Sequence, residues 1–196
     1  MKRLSVAAIA PTWNVPGIFC GKVAVLNSDT RSYRSASAFG GGVTLTNDEL
    51  VGLAAMSAVP EREGSKDARL LVDDNGLKSV IEWFIQRGHD RWISDVIREV
   101  SEEALLEGEP VFNTDVIQSL LFTFQRVVTV TLPDGELRSQ AATNYATTYL
   151  WWIFGVSCSA PVFAHLRRSR RVLVLTDADV ARKAAGDVVL SATLWC

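Results

Sequence analysis

Histidine and cysteine are scarce in this chain. Only two histidines, His89 and His165, occur in 196 residues, which excludes a histidine-rich metal centre. Cys20, Cys158 and Cys196 cannot all pair and show no metal-ligand spacing. A disulfide scaffold is thereby excluded and a reducing compartment is implied. Neither sign of charge is in excess: 20 Lys+Arg face 22 Asp+Glu, for a net charge of -2. Such a balance gives no long-range field to draw in nucleic acid, which is not an expected partner. Long hydrophobic runs are missing too. The uncharged stretch after Ser139 is intensely apolar only from Tyr149 to Val156, whereas a membrane-spanning helix needs about 20 apolar residues. A buried strand is the expected structure there, with no membrane as partner. At the N-terminus, Lys2 and Arg3 precede an apolar run that resembles the start of a signal peptide. Pro11 interrupts it early, so a mature cytoplasmic start is expected.

What is present is an ordinary globular composition, with 48% hydrophobic and 21% charged residues. The length fits one domain spanning 1–196. Ile18 to Leu26 reads as a strand closed by a turn at Asn27-Ser28-Asp29. Ala38 to Leu45 reads as a glycine-rich loop leading into a β-prone segment. Asn47 or Asp48 reads as the cap of a helix beginning at Asn47-Asp48-Glu49-Leu50. Leu70-Leu71-Val72 is a short apolar run, and Asp73 to Gly76 a turn. Leu77, Val80, Ile81, Phe84 and Ile85 recur at helical spacing, with Gly88 placed to end the helix. A second helix is predicted from Asp90 to about Leu106, on the stripe Trp92, Ile93, Val96, Ile97, Val100 and Ala104. Further on, Phe122-Thr123-Phe124, Val127 to Leu132, Tyr149 to Val156 and Arg171 to Leu175 read as strands. Pro133-Asp134-Gly135 reads as a turn, Asp177 opens a short helix, and Val188-Val189-Leu190 is a last apolar element. This mixture without regular βαβ alternation points to an α+β or α/β fold.

The chemically informative segment is Arg98-Glu99-Val100-Ser101-Glu102-Glu103. On a helix, Glu99, Glu102 and Glu103 stand at i, i+3 and i+4 and project together, with Asp95 one turn earlier. Grouped carboxylates repel one another. A hard divalent cation with oxygen ligands, Mg²⁺ or Mn²⁺, would relieve that repulsion. The competing reading is a solvated helix face with local arginine partners. The segment resembles the box of the Nudix hydrolase superfamily, G-x5-E-x7-R-E-U-x-E-E-x-G-U with U aliphatic. Its central R-E-U-x-E-E is matched in full and Leu106 fits the final U. The upstream acid position holds Asp90, and the two box glycine positions hold Phe84 and Leu105.

The resemblance implies a Nudix-like α/β/α sandwich with a mixed sheet. The Gly40-Gly41-Gly42 run resembles the glycine pair that precedes the family's box, which implies an insertion at about 46–89. Divergent Nudix-like domains associated with bacterial cyclic-nucleotide defence systems are similar. The implied activity is metal-dependent hydrolysis of a nucleoside diphosphate linked to another group. Glu99, Glu102 and Glu103 would hold Mg²⁺ or Mn²⁺, Arg98 with Glu99 and Glu102 would carry the catalysis, and Gly40, Gly41 and Gly42 would contact a nucleotide-type small molecule. The alternative is a non-catalytic nucleotide-sensing or interaction module of the same fold; a homodimer fits either.

Other residues carry weaker signals. Arg167, Arg168, Arg170 and Arg171 form a basic cluster that could meet phosphates, although a solvated turn explains it as well. Gly40 to Gly42 could admit a phosphate to backbone N–H groups or simply form a tight turn. His89 beside the box could act as a general base or sit on the surface at a helix start. Cys158, with no base nearby in sequence, reads as a buried structural thiol. Of the six tryptophans, most belong in the core rather than against a base.

Overall fold

A computed structural model of the chain describes residues 1–26, 35–105, 111–132 and 146–194. In chain order the elements are β1 (Lys2–Val15), β2 (Phe19–Leu26), β3 (Ser35–Gly42), α1 (Asn47–Ala54), β4 (Ala58–Pro60), β5 (Arg69–Val72) and α2 (Leu77–Gln86). A 3-10 turn at His89–Arg91 leads to α3 (Ile93–Ala104). Then come α4 (Thr114–Gln118), β6 (Leu121–Leu132), β7 (Thr147–Ser157), α5 (Ala160–Leu166), β8 (Val172–Val174), α6 (Asp177–Arg182), β9 (Ala184–Ala185) and β10 (Val188–Leu190). Helices and a mixed sheet together make this an α+β fold, as expected. The chain divides into two compact units, one of 1–8, 41–95 and 126–152, the other of 9–40, 96–125 and 153–196.

In the first unit the start of β1 pairs antiparallel with β5, Lys2 opposite Val72 and Ser5 opposite Arg69, and β4 flanks β5. Leu4, Val6, Leu70 and Val72 are fully buried. The stripe of α2 holds in part: Val80 and Phe84, one turn apart, are buried, Ile85 is 45% exposed instead, and Gly88 follows in the left-handed region at φ 74°. Phe84 continues an aromatic chain, 5.6 Å from Trp92, which lies 6.2 Å from Trp152. Such ring pairs add to what their buried area contributes.

In the second unit the end of β1 and β2 form a hairpin, Val15 opposite Phe19, turning on Gly17 at φ 71°. β2 pairs antiparallel with both β3 and β8. β10 adds to β3 in parallel, which makes the sheet mixed, and carries β9 on its other side. Trp13, Phe39 and Phe112 fill the core, Trp13 lying 5.5 Å from Phe39 and 6.1 Å from Phe112.

The uncharged stretch is indeed strand: β7 buries Trp151, Trp152, Ile153 and Phe154. No helix among the described residues is long and apolar enough to cross a membrane. Several expectations are corrected. The apolar run after Arg3 is the middle of β1, a strand that passes through Pro11. Gly40, Gly41 and Gly42 complete β3 instead of forming a loop. Thr46, not Asn47 or Asp48, caps α1: its side chain accepts from the Glu49 amide while the Glu49 carboxylate accepts from the Thr46 amide. Phe122 to Leu132 is one strand instead of two, and α4 and α5 are helices the apolar pattern did not indicate. The box helix starts at Ile93, after a 3-10 turn, instead of at Asp90. The turns expected at Asn27 to Asp29 and Pro133 to Gly135 lie outside the described residues, as does Leu106.

Candidate functional site

α3 carries the box residues. Val96, Val100 and Ala104 are fully buried and fix one side of the helix against the core of the second unit. Ile97, expected in that buried stripe, is 38% exposed instead. It lies at the margin of the stripe, facing a cavity.

The glutamates occupy the next face round. Glu103 reaches β3, where its carboxylate accepts a hydrogen bond of 2.9 Å from the Gly40 amide. Gly40 stands at φ 115°, a conformation that side-chain-bearing residues rarely adopt, so a glycine is needed at this point of the strand. Burial pushes the Glu103 carboxyl up to about 8. Glu99 and Glu102 push in the same direction, while the Gly40 amide and the Arg171 guanidinium oppose them. At neutral pH this carboxyl is largely protonated.

Arg98 holds the other two glutamates. Its Nη1 lies 2.7 Å from Glu99 and 3.0 Å from Glu102. Burial works against the Arg98 charge, but hydrogen bonds and attraction from Glu102 and Glu99 outweigh it and raise its pKa. Arg171 completes the group: its Nη1 donates to the Glu103 carbonyl over 3.1 Å, at the end of α3 where orphan carbonyls favour a cation. Sequence reasoning left Arg171 within the basic cluster. Of the cluster's other members, Arg168 donates to Ala164 O and Arg167 and Arg170 are exposed.

Gly40, Arg98, Glu99, Glu102 and Glu103 are thus assembled in the second unit. Gly41 and Gly42 belong to the first, where a Cβ on Gly42 would lie 2.6 Å from the Asp67 carboxylate. Asp95, also there, accepts from the Thr44 amide at 3.0 Å and from Arg91. Asp90, at the upstream acid position, is exposed and pairs with His89 at 3.2 Å.

The oxygen donors of Glu99, Glu102 and Glu103 suit a hard divalent cation in kind and in sharing one helical turn. In their present arrangement each carboxylate is engaged, by Arg98 or by Gly40. No group of three or more His, Cys, Asp or Glu among the described residues is gathered closely enough to hold a metal ion. Cys158 is buried, which pushes its pKa up and disfavours thiolate chemistry there, while Cys20 lies exposed.

On another face of α3, next to that of Arg98 and Glu102, lies a cavity of about 320 Å³. Ile97, Ser101 and Leu105 of α3 form one wall, and Ile117, Gln118 and Phe122 contribute to the other.

Comparison of the chain with protein-family models, with curated proteins and with solved structures finds no match.

Proposed function

We propose that the protein hydrolyses a nucleoside diphosphate linked to another group, using a divalent cation held on the glutamate face of α3. The observation that carries this reading is the hydrogen bond from Gly40 to Glu103, beside the Arg98 bridge to Glu99 and Glu102. It joins the glycine strand and the box glutamates, the two features on which the Nudix resemblance rests. Glu99, Glu102 and Glu103 are the proposed ligands of Mg²⁺ or Mn²⁺, which when bound would polarise a phosphoryl oxygen and lower the pKa of a water. Glu102, whose side chain is 61% exposed, is free to turn from Arg98 towards a cation. Arg98 keeps Glu99 in place through a charge-assisted hydrogen bond. The Gly40 amide fixes the Glu103 carboxyl group. Free thiols at Cys20 and Cys158 suit a reducing, cytoplasmic setting.

A second reading has its own support. All three carboxylates already have partners, and Phe84 and Leu105 stand where the box has glycine. The same face could then bind a nucleotide without turning it over.

A product screen of nucleoside diphosphate compounds with Mg²⁺ and Mn²⁺ separates the two. Turnover of any compound, lost in Glu102→Gln, supports the hydrolase. Saturable nucleotide binding without product supports the binding module. Neither binding nor turnover would overturn both readings and leave the glutamates only their contacts with Gly40 and Arg98.

A further inference from the structure

The cavity flanked by Ile97 and Leu105 is not used by the proposed chemistry, which involves only the glutamate face. Its volume of about 320 Å³ lies at the lower end of the range for small-molecule clefts, roughly 300–1,000 Å³. Its walls combine the aliphatic side chains of Ile97, Leu105 and Ile117 with the ring of Phe122, and Ser101 and Gln118 add polar groups. That pairing of apolar walls with a few hydrogen-bonding groups suits a flat heteroaromatic ring, which is apolar on its faces and polar at its edges. Ile97 and Leu105 are 38% and 42% exposed, an apolar exposure that a bound ring would reduce.

Position ties this cavity to Arg98 and Glu102. Ile97 and Ser101 bracket Arg98 within one turn of α3, and Ser101 and Leu105 bracket Glu102. At 3.6 residues per turn, Arg98 and Glu102 stand about a quarter turn round α3 from the cavity-lining face, so a ligand that extends from the cavity round the helix meets them first. All these residues belong to the second unit.

We propose that this cavity is the base subsite: it takes the nucleobase of the nucleotide whose diphosphate lies along Arg98 and Glu102. The inference rests on the proposed function, and the test below keeps the two apart. Gln118, at the exposed rim, offers an amide able to donate to and accept from a base edge. Phe122 offers a ring for stacking.

The test uses the purified chain and two kinds of probe. Adenosine, guanosine, cytidine and uridine report the cavity without any phosphate. Inorganic pyrophosphate with Mg²⁺ reports the glutamate face without any base. At least one nucleoside should bind the wild type saturably. Ile97→Trp, which fills the cavity from a half-exposed position, should weaken that binding on the order of tenfold, with the magnesium–pyrophosphate affinity changed by less than about twofold. Leu105→Ala removes a wall from another exposed position and should weaken the nucleoside as well, so the result does not depend on one variant folding. Binding of no nucleoside, or nucleoside binding untouched by both variants, overturns the inference. So does tighter binding of an aliphatic alcohol such as 1-octanol than of any nucleoside. Nucleoside binding that is sensitive to Ile97→Trp, with no pyrophosphate binding at all, keeps the cavity and overturns the hydrolase reading instead.

Discussion

The backbone amide of Gly40 and the carboxylate of Glu103 meet across 2.9 Å although 63 residues separate them in the chain. This contact ties the end of β3 to the last turn of α3, in a place buried enough to hold the Glu103 carboxyl at about 8.

A pH dependence follows. The folded value lies above the ordinary 4.5, so between those limits the folded chain binds more protons at Glu103 than the unfolded chain does. Stability therefore falls as pH rises from about 4.5 to about 8, by on the order of a few kcal/mol from this group. Glu103→Gln keeps an acceptor for Gly40 and removes the titration. In metal-free buffer the urea midpoint of the variant should fall less between pH 5 and pH 9 than that of the wild type. Identical slopes would show that Glu103 is not buried as described.

Glu49 shows the opposite sign. Burial would raise its carboxyl, but the Arg91 hydrogen bonds at 2.8 and 2.9 Å, the Thr46 amide and the Arg91 charge together bring it down to about 2. Arg87 adds a contact at 3.4 Å. The stabilisation is complete above about pH 4.5 and is lost as pH falls towards 2. Glu49→Gln should cost about 2–4 kcal/mol at pH 7, because it leaves Arg91 half-buried and short of a partner. Denaturant melts at pH 7 and pH 3 should show the gap between variant and wild type narrowing in acid.

The cap of α1 gives a smaller effect. Thr46→Ala removes the acceptor for the Glu49 amide and should cost about 1 kcal/mol, whereas Asn47→Ala should change stability little. Equal losses would return the cap to Asn47.

The contrast at Thr46 shows what could be read in the sequence. Thr46-Asn47-Asp48-Glu49 contains the T-x-x-E spacing of a capping box, but Asn47 and Asp48 are strong caps in their own right and masked it. α2 was legible in its bounds because Val80 and Phe84 face one core and Gly88 stops it, although Ile85, next to Phe84, turns outward. β1 was not: in its middle Ala8, Ile9, Ala10 and Pro11 are buried in succession, which breaks the alternation there, and Lys2-Arg3 ahead of small apolar residues imitates a leader. Glycine at 40–42 suggests a loop on propensity, yet in β3 Gly40 needs its freedom for one turn of φ that presents its amide to Glu103. The run from Arg98 to Glu103 was visible because its partners lie within one helical turn. Arg171 was not, because its link to Glu103 closes over 68 residues.

Arg98 separates structural from chemical roles. With its side chain 39% exposed, its ion pairs with Glu99 and Glu102 should contribute less than about 1 kcal/mol to stability. Arg98→Gln should therefore melt almost as the wild type does. By releasing both carboxylates it should tighten Mn²⁺ binding severalfold in calorimetry while lowering turnover of any substrate found. Unchanged Mn²⁺ affinity would mean that Glu99 and Glu102 take no part in holding a cation.

Direct evidence for the cation comes from thermal stability. A cation that binds only the folded chain stabilises it by RT ln(1 + [L]/Kd), about 2.7 kcal/mol at a hundredfold excess over Kd. For a chain of this size that corresponds to a rise in Tm of roughly 5–10 °C with Mg²⁺ or Mn²⁺. Glu103→Gln should remove most of that rise, since it deletes one anionic donor while keeping the side chain's size and helix propensity. Glu82→Gln is the control, because Glu82 lies half-exposed on α2 with Lys78 3.8 Å away and has no part in the glutamate face. The response should also weaken below pH 8 relative to pH 9, because a cation must displace the proton that burial keeps on Glu103. Equal shifts in the wild type and Glu103→Gln would exclude Glu103 as a ligand. No shift in either, with Arg98 intact, would mean that the carboxylates serve only the contacts to Gly40 and Arg98.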